Sequence, residues 1–356
     1  MRIRSRVVCL VTAVLLIGFA CRGEMELSPT GCDCGPDGTA HCDQFGMVFI
    51  DGVCVAGYQN VGATWNDAVD ACKEIGGDLC SASQYMIIRR TGQSAANVDL
   101  FHQDSPVWTR AFSDNDGGRL TSVLFSADNP NVTSSYYSFA CCLDATPEPY
   151  LSNALLVPAQ GSSSGGVKVT YLHTLEDTRA EAAMAVCSAL RSDLCSKSQY
   201  VILNDADLFP SAALRRLTNE ISDNDGSMWS PIVGSNTLDN PSLVGPWSYA
   251  CCASQRPCDS SCPSPGTVVD NLCVVEMHSV EDTNFYTAAR ACAQYGADVC
   301  SNSQMQVLRD AGHFDGIRAW TNDGADNDGG GVGGLLPSMA DNPNPETTLY
   351  GYACCL

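Results

Sequence analysis

Basic residues are scarce in this 356-residue chain. Nineteen Lys and Arg stand against 40 Asp and Glu, giving a net charge of −21 and a pI near 4.3. A surface of that sign repels a phosphate backbone, so nucleic acid is set aside as a partner. The apolar run from Val7 to Phe19 is too short to span a membrane comfortably. The sequence has no glycine-rich phosphate loop, no nucleophile elbow and no HExxH helix. No complete EF-hand spacing occurs either. These absences leave no residue to assign to catalysis, and we read no enzyme here.

What the chain has in quantity is cysteine, 21 in all, and the cysteines recur in order. Cys72/Cys80, Cys187/Cys195 and Cys292/Cys300 share one eight-residue spacing. Each pair runs at once into Ser-x-Ser-Gln, beginning at Ser81, Ser196 and Ser301 and ending at Gln84, Gln199 and Gln304. There the serine hydroxyl takes an orphan N–H and the glutamine returns to the cap, the capping box of a helix. Each copy continues with Asp-Asn-Asp-Gly, then Asp-Asn-Pro, and closes on Ala-Cys-Cys at Cys141/Cys142, Cys251/Cys252 and Cys354/Cys355. Ordered repetition of this kind marks three modules.

The third copy states the module most clearly. Val268-Val269 and Cys273-Val274-Val275 flank Asp270-Asn271, a hairpin with a two-residue turn. In the first copy Asp51-Gly52 takes the same place between Val48 and Val55. Glu281-Asp282-Thr283 signals a helix start, and Phe285, Ala288, Ala289 and Cys292 fall on one helix face. Trp65, Ala68, Val69 and Cys72 repeat that face. The hairpin cysteines Cys54 and Cys273 have Lys168 in their place in the second copy, whose hairpin loop swells into Pro158 to Gly166. The second copy also has Leu217 where the others have Trp108 and Trp320, with Trp229 beyond the acidic element. His173 and His278 align with each other and, counted from the helix cysteine, with Tyr58.

Successive strand residues point to opposite faces, so each Cys-Cys pair is expected to split. One member would bond the helix cysteine and the other the cysteine eight residues on; a ring between the two neighbours is the strained alternative. A bridge closing a loop of roughly 60 to 70 residues contributes about 4 kcal/mol in the chain-entropy model. Cys32, Cys34 and Cys42 precede the first copy and are read as disulfide partners rather than metal ligands.

Arg2, Arg4 and Arg6 precede the apolar run, which ends Gly18-Phe19-Ala20-Cys21. We read residues 1–20 as a signal peptide, followed by a Cys-rich tether over 21–45. The modules cover 46–145, 155–254 and 262–356, with linkers at 146–154 and 255–261. Cys21 is the candidate for lipidation. Loss of Cys9 and acylation of Cys21 leave 19 cysteines and one without a partner, whereas a free Cys21 leaves 20, which pair fully. The protein is thus expected outside the cytoplasm, as an outer-surface lipoprotein or in a periplasmic or extracellular space, touching membrane only through a lipid on Cys21. Asn131-Val132-Thr133 is a sequon relevant only to a eukaryotic secretory route.

The acidic elements are the candidate metal sites. Asp114, Asp116, Asp223, Asp225, Asp326 and Asp328 are hard oxygen donors on turns, and Asp128, Asp239 and Asp341 could complete a set. Calcium is the cation such donors fit, although the same residues also serve plain turns. Trp108 and Trp320, beside the acids, are candidate stacking platforms for a ligand, although such tryptophans more often belong to the core.

Cys262-Pro263, Cys273, Ala288, Cys292 and Gly296-Ala297, with Trp65-x-x-Ala68-x-x-x-Cys72 in the first copy, resemble the long-form C-type lectin-like domain. The likeness covers the first half of each copy. It implies an α+β fold of N-terminal hairpin, two helices and irregular antiparallel sheet, here disulfide-rich and in three tandem copies. Cys42/Cys54 and Cys262/Cys273 match the family's opening cysteines, spaced by eleven and ten residues. The second half departs: the family's Glu-Pro-Asn, Gln-Pro-Asp and Trp-Asn-Asp sugar-site triplets are absent. The resemblance therefore implies a binding or adhesion protein, with a protein or glycan ligand at a cell surface, and does not by itself carry sugar binding. The rival readings are a structural envelope protein without a ligand site, and an enzyme of the related sulfatase-modifying fold.

Overall fold

The computed structural model describes Cys42 and residues 47–50, 53–81, 83–85, 87–88, 107–110, 136–143, 153–160, 165–209, 216–219, 247–253, 262–322 and 347–356. The chain from Asp33 to Leu356 forms one compact unit. It is mixed α+β, built as three sheets with helices packed between them.

The first sheet holds β1 (Val48–Ile50), β2 (Val53–Ala63), β3 (Asp78–Leu79), β4 (Val107–Trp108) and β5 (Tyr137–Leu143). The second holds β6 (Leu155–Pro158), β7 (Gly166–Thr178), β8 (Asp193–Leu194), β9 (Arg216–Leu217) and β10 (Trp247–Cys252). The third holds β11 (Thr267–Val269), β12 (Leu272–Thr283), β13 (Asp298–Val299), β14 (Ala319–Trp320) and β15 (Tyr350–Cys355). All three share one order, β1-β2-β5-β3 in the first, with β4 added parallel to β5 and every other pair antiparallel. The closing strand is thus the hub of its sheet, paired with three of the other four strands.

Local chemistry fixes the elements. Val269 pairs with Leu272, and the two residues between them, Asp270 and Asn271, both have positive φ, the geometry of a type I′ hairpin turn. Helix α1 (Trp65–Glu74) starts from a Thr64/Asp67 capping box and buries Trp65, Ala68, Val69 and Cys72. Helix α2 (Ala180–Ala189) is its counterpart in the second module. Helix α4 (Phe285–Gln294) buries Phe285, Ala288, Ala289 and Cys292, as the periodicity requires. Its cap is Asn284, which accepts from Thr287 N, one residue beyond the Glu281–Thr283 signal. Helices α3 (Lys197–Asp205) and α5 (Asn302–Asp310) open on the Ser196/Gln199 and Ser301/Gln304 capping boxes. Residues 83–85 and 87–88 are helical behind the reciprocal Ser81–Gln84 bonds.

The cysteine pairs split. The helix cysteines Cys72, Cys187 and Cys292 bond Cys141, Cys251 and Cys354. The cysteines eight residues on, Cys80, Cys195 and Cys300, bond Cys142, Cys252 and Cys355. Adjacent residues of the closing strand thereby pin a helix on one face and a short strand on the other. Cys42–Cys54 and Cys262–Cys273 staple the first and third hairpins. In the second, Lys168 pairs with Leu156, the register at which Cys54 pairs with Phe49 and Cys273 with Val268. Cys42 belongs with the first module through its bridge, although it falls within the expected tether. Cys21, Cys32, Cys34, Cys258, the sequon and the whole signal stretch lie outside the described residues.

The modules are not beads on linkers. Helix α3 packs on α4, where Arg290 grips Asp205 through two bonds of 2.5 and 2.8 Å. Helix α1 packs on α5, and Asn271 Nδ2 donates to Lys73 O at 3.2 Å. The Arg191 guanidinium lies 4.3 Å from the centre of the Phe49 ring, joining the second module to the first. One apolar core runs through modules one and three, and another through two and three. The first module touches the second, the second the third, and the third returns to the first.

Candidate functional site

A ring of serine–aspartate contacts lies at the centre of this cycle. Ser81 Oγ donates to Asp193 Oδ2 at 2.9 Å, and Ser83 donates to the other oxygen. Ser196 Oγ reaches Asp298 Oδ2 at 2.6 Å, with Ser198 on Asp298 Oδ1. Ser301 Oγ reaches Asp78 Oδ2 at 2.9 Å, with Ser303 on Asp78 Oδ1. Each module thus donates forward to the next, and the relation closes after three steps. The modules therefore surround a pseudo-threefold axis. The Ser-x-Ser-Gln element caps its own helix and also clasps the neighbouring module.

Each carboxylate also accepts the N–H that follows it, from Leu79, Leu194 and Val299, at 2.8, 2.8 and 2.9 Å. Asp298 takes a fourth bond, from Asn322 Nδ2 at 3.3 Å. Burial pushes the Asp298 carboxyl above its ordinary value, against the hydroxyls of Ser196 and Ser198, the Asn322 amide and the positive field of Arg110, which all favour its charge.

A cavity of about 120 Å³ sits on the axis. Equivalent residues of all three modules line it: the ring carboxylates, the capping glutamines, and the trio Arg110, Asn219 and Asn322. The trio follows Thr109, Thr218 and Thr321, so one module supplies a guanidinium where two supply amides. Arg110, Asn219 and Asn322 are each 5% exposed. Arg191 also lines the cavity, from a left-handed position (φ 56°) where the other modules have Gly76 and Gly296.

A second feature recurs on β7 and β12, the long strands of modules two and three. His173-Thr-Leu-Glu-Asp-Thr178 and His278-Ser-Val-Glu-Asp-Thr283 bulge between two register pairs, His173↔Tyr249 and Thr178↔Trp247 in one, His278↔Tyr352 and Thr283↔Tyr350 in the other. The bulge base is closed by His173 Nε2 to Asp177 Oδ1 at 2.5 Å and His278 Nε2 to Asp282 Oδ1 at 2.6 Å. Hydrogen bonds from the histidines, then from Thr178 and Thr283, hold both carboxyls below their ordinary range. Each histidine lies against a tyrosine, with ring centres 5.2 Å apart. Burial pushes the Tyr249 hydroxyl up to about 12. In the first module Gln59 pairs with Phe139 at this register, so Gln59, rather than Tyr58, stands opposite the two histidines.

The stacking platforms are not available to a ligand. Trp108 and Trp320 are fully buried, and their indole N–H groups donate to Ala63 O and Thr283 O, each at 2.7 Å. Their ring centres lie 4.7 Å from those of Tyr137, edge-on, and Tyr350, tilted. In the second module the large and small residues exchange places: Leu217 replaces the tryptophan of β4 and β14, and Trp247 replaces the tyrosine. Trp229 lies outside the described residues, and the compensating ring is Trp247.

The candidate calcium ligands Asp114, Asp116, Asp128, Asp223, Asp225, Asp239, Asp326, Asp328 and Asp341 all lie outside the described residues. Among the described residues, no three or more His, Cys, Asp or Glu side chains gather as a metal-ligand set. The axial aspartates escaped the sequence reading, yet a signal existed: Asp78, Asp193 and Asp298 each stand two residues before the repeated cysteine. Comparison with family models, curated proteins and solved structures returns no match.

Proposed function

We propose that the protein is an exported cell-surface binding or adhesion protein, made of three C-type lectin-like modules closed into a ring. The observation that carries this reading is the thrice-repeated frame of hairpin, helix, short strand, second helix and closing strand, with the first helix bridged to the closing strand. That frame agrees with the one the opening cysteines and the helix pattern imply. Eight disulfides among the described residues fit an oxidising compartment outside the cytoplasm. Among the described residues no helix is long and apolar enough to cross a membrane.

The ring gives the binding role a physical rationale. Modules held rigidly around one axis present three outer faces at fixed spacing, and multivalent engagement raises avidity without new contacts. The acidic Asp-Asn-Asp-Gly stretches, one per module, make the binding calcium-assisted in this reading.

The test uses the oxidised chain, fluorescently labelled and titrated onto fixed cells, with calcium or with a chelator. Saturable binding displaced by unlabelled protein supports the reading. Prior protease or periodate treatment of the cells then separates a protein ligand from a glycan. Absence of saturable binding with calcium present sinks it and moves the structural envelope role ahead.

A further inference from the structure

The bulges of modules two and three each carry an ionisable clasp at their base. His173 Nε2 meets Asp177 Oδ1 at 2.5 Å, and His278 Nε2 meets Asp282 Oδ1 at 2.6 Å. Between the partners of each pair stands an exposed aliphatic residue, Leu175 or Val280. The imidazoles are 21% and 33% exposed, so solvent protons reach them. The groups that meet them are acidic or neutral. His173 lies against Asp177, Tyr171 on its own strand and Tyr249 on β10, with Glu176 in the same bulge. His278 lies against Asp282 and against Tyr352 on β15, whose hydroxyl donates to Glu276. Tyr295 at the end of α4 acts on Tyr352, and Glu281 in the second bulge is held by Arg318. Helices α2, α3 and α4 pack on β7, and α4 packs on β12. Their charged residues are Glu181 and the cap Arg179 of α2, Lys197 and Asp205 of α3, and Arg290 of α4, which Asp205 holds. Neither histidine bonds any of these. Hydrogen bonds from the histidines hold the Asp177 and Asp282 carboxyls below their ordinary range, so both stay charged in mild acid.

We propose that the two bulges are acid-set clasps, tightened when His173 and His278 take up a proton, and that module one has no such device. Histidine changes charge between about pH 5 and 8. A neutral ring offers the carboxylate a dipole, whereas a protonated ring offers a full charge, and the bond between two ions is the stronger. The protonated ring also gains from its neighbouring tyrosine, with 5.2 Å between ring centres in both modules. The clasp is therefore tight from the lowered carboxyl range up to the histidine range, and it loosens above that. In module one Gln59 takes this register, opposite Phe139. Glutamine does not ionise, so the first module is a reference within the same chain. The consequence is a surface on which Leu175 and Val280 are held more firmly in mild acid than at neutral pH. The proposal concerns the bulges themselves and is independent of the lectin-like reading.

The experiment is amide hydrogen exchange on the full oxidised chain in mild acid and at neutral pH, with rates corrected for the intrinsic pH dependence. Protection of the amides at 174–177 and 279–282 should be about threefold higher in acid, the scale of a partly exposed ion pair. The amides at 60–63 in module one should show no such difference. His173→Gln combined with His278→Gln gives both modules the residue of module one and should abolish the difference. Asp177→Asn combined with Asp282→Asn keeps the histidines, removes the carboxylates and should shrink it, which guards against a glutamine variant that fails to fold. Equal protection at both pH values in the unaltered chain overturns the proposal. So does a difference of the same size in module one, or one that persists undiminished in either folded double variant.

Discussion

Ser301 and Asp78 lie 223 residues apart in sequence, and the 2.9 Å bond between them joins the last module to the first. It makes the described fold a cycle rather than a row. Removing the acceptor tests that closure. Asp78→Ala leaves the hydroxyls of Ser301 and Ser303 without their partner at a buried interface. Bonds to a charged group are worth about 1.5–3 kcal/mol each, so a loss of about 3 kcal/mol is expected after partial rearrangement. Asp78→Asn, which keeps one acceptor, should lose less. Denaturant unfolding with disulfides intact measures both. Hydrogen exchange should show new opening at the interface of α1 with α5, while the contact of α3 with α4 keeps its protection.

Opposite pH windows are expected from the buried and exposed carboxyls. Asp298 has its folded pKa raised, chiefly by burial. Its stabilising contribution is therefore complete below the ordinary value of 3.8 and is lost as pH rises through the folded value. Asp177 and Asp282 have theirs lowered, first by the hydrogen bond from histidine. Their contribution is present above 3.8 and disappears as pH falls through the folded values. Asp298→Asn should flatten the pH dependence of stability above 3.8 and leave the acid limb in place. Unfolding curves for the two proteins across that range decide the matter; an unchanged profile would show that Asp298 is not the titrating group.

Much of the module was legible in the sequence because its determinants are local. The faces of α1 and α4, the two-residue turn at Asp270-Asn271, the serine caps and the split of each Cys-Cys pair all follow from periodicity, turn chemistry and strand alternation. The axis was not legible. Ser81 and Ser83 look complete as members of a cap, and nothing local shows that their hydroxyls also reach Asp193 in another module. The tryptophans left two readings open, core and platform, for a related reason. Proximity to acidic residues in sequence suggested a platform, while Trp108 and Trp320 turn inward to carbonyls across the sheet. Gln59 displaced Tyr58 because the bulge in the first module is one residue shorter than in the others, which no count from the helix cysteine detects.

The paired bridges should prove strongly coupled. Cys72–Cys141 closes a loop of 69 residues and Cys80–Cys142 one of 62, almost the same stretch of chain. With one bridge kept, the other closes only a short residual loop in the unfolded chain. Removing Cys72 and Cys141 as a pair should therefore cost about 3 kcal/mol, and removing the second pair from that variant about 4 kcal/mol more. Denaturant titration of the single and double removals measures the difference. Peptide mapping of the oxidised protein gives an independent check, since it should recover Cys72 with Cys141 and never Cys72 with Cys142.

The exchange of large and small residues in the second module offers a cycle with a defined sign. Trp108 meets Tyr137 and Trp320 meets Tyr350, whereas Leu217 lies in one cluster with Trp247. Leu217→Trp alone places two indoles where the fold accommodates one, and overpacking of a filled core costs about 1–3 kcal/mol. Trp247→Tyr alone removes ring volume, leaves a void and also destabilises. Together they recreate the pair found in the first and third modules. The double variant should therefore lose less than the sum of the two singles, with a coupling of about 1 kcal/mol or more in the favourable direction. Additive losses would mean that the two positions do not pack as one unit, and that the second module solved its core by some other contact.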